Sequence, residues 1–81
     1  MNYNAEKPRM NSEIMEFIVY IINATADKFG TYTSKIYHML EQSGCINDYL
    51  VPYYDVLHTM GTEAIVNDVI TYTANRGFRI C

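Results

Sequence analysis

Residues 11–30 read NSEIMEFIVYIINATADKFG, and this stretch decides the fold. The apolar body runs through Ile14, Phe17, Ile18, Ile21, Ile22 and Thr25 to Phe29, and spacings of three and four put Ile14, Phe17/Ile18, Ile21 and Thr25 on one face. That period is helical, because side chains three and four apart meet on one face of a 3.6-residue turn. Asn11 or Ser12 can cap the free N–H groups at its start, and Glu13 and Glu16 complement the positive end of its dipole. Gly30 is placed to close it in the left-handed conformation. Met15, Val19 and Ile22 widen the apolar face beyond half the circumference. A helix of that kind is either central in a bundle or contacts a partner.

The rest of the chain has to supply what this helix packs against. Thr33 or Ser34 is expected to cap a second helix, whose face is Ile36, Tyr37, Met39 and Leu40 and whose end is Gly44. At about ten residues it is too short to stand alone and must dock on the first. Asn47 or Asp48 can open a third element, with Tyr49, Tyr53, Val56, Leu57 and Met60 on one stripe. Pro52 interrupts it. In a helix interior proline removes a backbone bond and clashes with the preceding turn, at a cost of ~3 kcal/mol. Two solutions follow: a turn over residues 46–50 with a fresh helix holding Pro52 in its first turn, which is favoured, or one kinked helix. After Gly61, Thr62 is expected to cap a last helix with Ile65, Val66, Val69, Ile70 and Thr73 on its face and Asn75-Arg76-Gly77 as its stop.

The expected architecture is therefore all-α: a small four-helix domain, residues 11–77, with short connections and a broken or kinked third helix. Residues 1–10 lack periodicity and contain Pro8, which reads as a flexible leader; residues 78–81 read as a short tail in which Phe78 and Ile80 alternate. With 81 residues one domain is expected, and 4 glycines and 2 prolines are too few for a many-stranded β protein.

Charge narrows the function classes. The net charge is −3 and the six basic residues, Lys7, Arg9, Lys28, Lys35, Arg76 and Arg79, form no stripe, so nucleic acid is not the expected partner. A helix-turn-helix DNA binder would need a basic recognition helix, and none is present. The longest apolar run, residues 17–22, is far short of a bilayer span, and the polar N-terminus does not read as a signal peptide. The expectation is a cytoplasmic protein without membrane attachment. Cys45 and Cys81 have no zinc spacing and read as a free buried thiol and a terminal one, although spacing alone leaves a disulfide open.

Candidate chemistry is sparse. Asp55 and His58 share a helical face, and a carboxylate can orient a histidine as general base. No serine has an elbow-like glycine context and Cys45 has no positional link to His58, so the pair reads more readily as a local hydrogen bond or cap. His38 is a helix histidine before it is a phosphoacceptor. No phosphate loop, calcium loop or Glu-x-x-His di-iron spacing occurs, and no metal or cofactor is expected. The tyrosines carry more. Eight phenols, each needing a hydrogen-bond partner when buried, exceed what a small core accommodates, and tyrosine is enriched at interfaces. Either they rim the core or they make a contact surface, for which Tyr49, Tyr53, Tyr54 and His58 are the expected residues.

The run from Tyr54 to Gly61, YDVLHTMG, together with EFIVY at residues 16–20 and EAIVND at residues 63–68, resembles a family of short bacterial proteins catalogued as a domain of unknown function. The resemblance covers residues 12–76. Its members are often encoded beside a second family that resembles ADP-ribosyltransferases. The resemblance implies, by association, an antitoxin-like or accessory helical partner of such an enzyme, and carries no catalytic residues over. The function expected is thus a non-enzymatic protein-interaction module. The alternatives are a self-associating structural domain and a small enzyme using Asp55 and His58.

Overall fold

The computed structural model describes residues 11–79. The leader, Ile80 and Cys81 lie outside them. The chain forms α1 (Ser12–Phe29), α2 (Thr33–Ser43), a π-helical turn (Ile46–Leu50), the single-turn α3 (Tyr54–Leu57) and α4 (Thr62–Asn75). The class is all-α, and no strand occurs among the described residues. The expected third helix is present as two pieces, the π-turn and α3.

Helix α1 starts as its sequence dictates: the Ile14 N–H donates to Asn11 Oδ1 at 2.9 Å. It ends on Gly30 at φ 62°, where the Thr31 N–H reaches back to the Ala26 carbonyl at 3.0 Å. Gly77, at φ 87°, ends α4 in the same way, with the Phe78 N–H on the Thr73 carbonyl at 2.9 Å. Phe78 then packs on the core from the end of that turn.

Three expected caps are not used. Neither Thr33 nor Ser34 caps α2; Tyr32 stands at that position without a side-chain bond. Asn47 and Asp48 lie inside the π-turn rather than before a helix, and Cys45 precedes it. Gly61, not Thr62, is the N-cap of α4. In each case a neighbouring residue takes the cap position and makes no side-chain capping bond.

Pro52 does break the third element, but it precedes α3 instead of sitting in its first turn. The Val51 N–H bonds the Ile46 carbonyl at 3.0 Å, five residues back, and the Tyr53 N–H bonds the Tyr49 carbonyl at 3.1 Å. The widened turn lets the chain pass the proline while Ile46, Leu50 and Val51 stay buried.

The core lies where α1, α2 and α4 pack on one another, with the π-turn against α2. Ile21, Ile36, Leu40, Leu50, Ile65 and Val69 are fully enclosed. The buried hydroxyls are satisfied within their own helices: Thr25 donates to the Ile21 carbonyl at 2.7 Å and Thr73 to the Ile70 carbonyl at 3.0 Å.

Gly44 makes the tightest corner. Its φ is 85°, and a Cβ there would stand 2.8 Å from Asp48 Oδ2. Left-handed backbone costs an L-residue roughly 1–2 kcal/mol before any clash is counted. Gly44→Ala is therefore expected to lower Tm by about 4 °C or more in thermal unfolding by circular dichroism. An unchanged Tm would show that the corner is not under that constraint.

Candidate interaction surface

The predicted contact residues fall into two groups. Tyr49 and Tyr54 are half-buried against the core, whereas Tyr53 and His58 are exposed. Tyr49 stacks on Tyr72 with ring centroids 5.5 Å apart, touches Tyr53 at 5.9 Å, and donates its hydroxyl to Asp68 Oδ2 at 3.2 Å. Burial, and then the Asp68 carboxylate, raise the Tyr49 phenol above its ordinary pKa. Arg76 caps this stack, its guanidinium 3.8 Å from the Tyr72 ring centre. Tyr54 meets Phe17 of α1 edge-on at 5.3 Å and stacks on His58 at 4.7 Å. The four residues therefore form an aromatic belt around α3, anchored at two points and open at Tyr53 and His58.

His58 does not pair with Asp55 in the way a general base would. Its Nδ1 lies 2.8 Å from the Tyr54 carbonyl. A carbonyl only accepts, so Nδ1 carries the proton. The ring is a local cap stacked on Tyr54. Among the described residues no group of three or more His, Cys, Asp or Glu side chains gathers as a metal site. No helix among them is long and apolar enough to cross a membrane.

The larger apolar exposure lies on α1, where the sequence shows a face too wide for one core. Met15 is 53% exposed, Val19 49% and Tyr20 56%, although Ile18, Ile21 and Ile22 beside them are buried. Between α1 and α2 runs an open groove of ≈ 340 Å³, with Ile18 and Ile46 among its lining, Met15, Val19 and Tyr37 on its walls, and Glu41 and Asn47 at its edge. A second, shallower depression shares Met15 and Val19 and continues across Glu16, Tyr20 and Asn23. The Tyr20 hydroxyl is tied to Thr62 Oγ1 at 2.8 Å, so its exposed ring is held between α1 and α4. Thr62, expected as a cap, serves instead to fix this ring. Among the described residues, no basic side chain lines either depression.

Of the seven tyrosines at positions 20–72, Tyr20, Tyr32, Tyr37 and Tyr53 are exposed and Tyr49, Tyr54 and Tyr72 are half-buried. None is enclosed, in keeping with the cost of burying a phenol. Tyr20 and Tyr37 are exposed contact candidates outside the expected set of Tyr49, Tyr53, Tyr54 and His58. The excess width of the α1 face signals Tyr20; Tyr37, expected on the apolar face of the second helix, is instead exposed.

Cys45 is a free thiol with no exposed surface. Burial pushes its pKa from 9.0 up to about 12, with the Arg76 charge pulling the other way. The stabilisation this reflects is fully present below about pH 9. It is lost as pH rises towards 12, because the unfolded chain releases a proton the folded one retains. Urea unfolding at pH 7.5 and 10 should show a fall about 1.4 kcal/mol larger in a Cys81→Ser protein than in the same protein carrying Cys45→Ala. Equal falls would mean that the thiol is not desolvated.

The model of the family described as Protein of unknown function (DUF3791) matches residues 16–76. No curated protein and no solved structure matches the chain.

Proposed function

The chain belongs to the DUF3791 family, and from that premise we propose that it is a non-enzymatic helical interaction module of the cytoplasm. The observation that carries the reading is the apolar exposure of Met15, Val19, Tyr20 and Tyr37 around one groove. Leaving that much apolar surface in water forgoes burial worth roughly 25 cal/mol per Å², which docking recovers. The α3 belt, with Tyr53 and His58 outward and Tyr49 and Tyr54 behind them, is the second surface of the proposal.

The partner we propose is an ADP-ribosyltransferase-like protein encoded beside this one, to which the chain serves as an antitoxin-like or accessory subunit. Its support is the resemblance of the YDVLHTMG run to bacterial proteins with such neighbours. Co-expression with the neighbouring gene product followed by size-exclusion chromatography tests the pairing. Co-elution is expected, and independent elution of the two proteins would refute it. A self-associating domain is the second reading, favoured by the same exposed face; concentration-dependent sedimentation of the isolated chain would support it over the first.

A further inference from the structure

We draw no further inference here: the strongest candidate, the exposed apolar face of α1 with its groove against α2 at Met15, Val19 and Tyr37, belongs to the surface already described, and nothing in the structure shows what covers it.

Discussion

Ile21→Ala is expected to lower Tm by ~10 °C or more and to leave a substantial unfolded fraction at physiological temperature. Ile21 has no exposed surface and sits on the α1 face from which the helix contacts both α2 and α4. Truncating it removes the transfer free energy of three carbons and leaves a cavity that three packed helices close only in part, a combined cost of about 2–5 kcal/mol. A domain of 81 residues has only about 4–12 kcal/mol in total. At this size each kcal/mol moves Tm by about 4–8 °C. Differential scanning calorimetry checks it, and a shift under ~4 °C would mean that Ile21 is not at the junction of the three helices.

Val19→Asp, two residues earlier, should do the reverse. Val19 is 49% exposed and stands over the groove, so a carboxylate there remains in water and stability should change by no more than ~0.5 kcal/mol. Binding is another matter. In a complex that covers α1 the carboxylate would be desolvated beside Met15 and Tyr37 without a partner, and a central interface position of this kind is worth about 2 kcal/mol or more, roughly thirtyfold in Kd. Titration calorimetry with the co-purified partner should show that loss while the melting curve stays in place. A destabilised Val19→Asp would assign Val19 to the core, and unchanged affinity would remove α1 from the interface. The two substitutions together treat α1 as a helix with two occupied faces, one by its own chain and one by a partner.

What the sequence made legible is what local chemistry controls. The Ile14–Ile18–Ile21–Thr25 face, the Asn11 cap and the glycine stops at 30, 44 and 77 depend on residues within a turn of one another, and each is present as read. Contacts that span the chain were not legible. Thr62 has the identity of a cap, yet its hydroxyl is held by Tyr20, forty-two positions away. Pro52 announces a break without its form. The π-turn exists because Ile46, Leu50 and Val51 must all reach the core on one side of a residue that cannot donate. The Asp55–His58 spacing suggested a pair, but the Tyr54 carbonyl lies nearer the imidazole along the same helix face.

The same distinction applies to the surface. The tyrosine surplus pointed to residues 49–58, where the aromatic belt does form, with two of the four side chains half-buried against the core. The wider apolar face of α1 was visible in residues 11–30, but its groove needed Tyr37 and Ile46 from two other elements. Which surface a partner covers is a question of tertiary geometry rather than composition.

An amide chemical-shift footprint of the labelled chain in complex with the co-eluting partner tests this most directly. The largest perturbations are expected at Met15, Val19, Tyr20, Tyr37 and Asn47, with smaller ones at Tyr53 and His58. Perturbations confined to residues 53–60, with the α1 face silent, would contradict it.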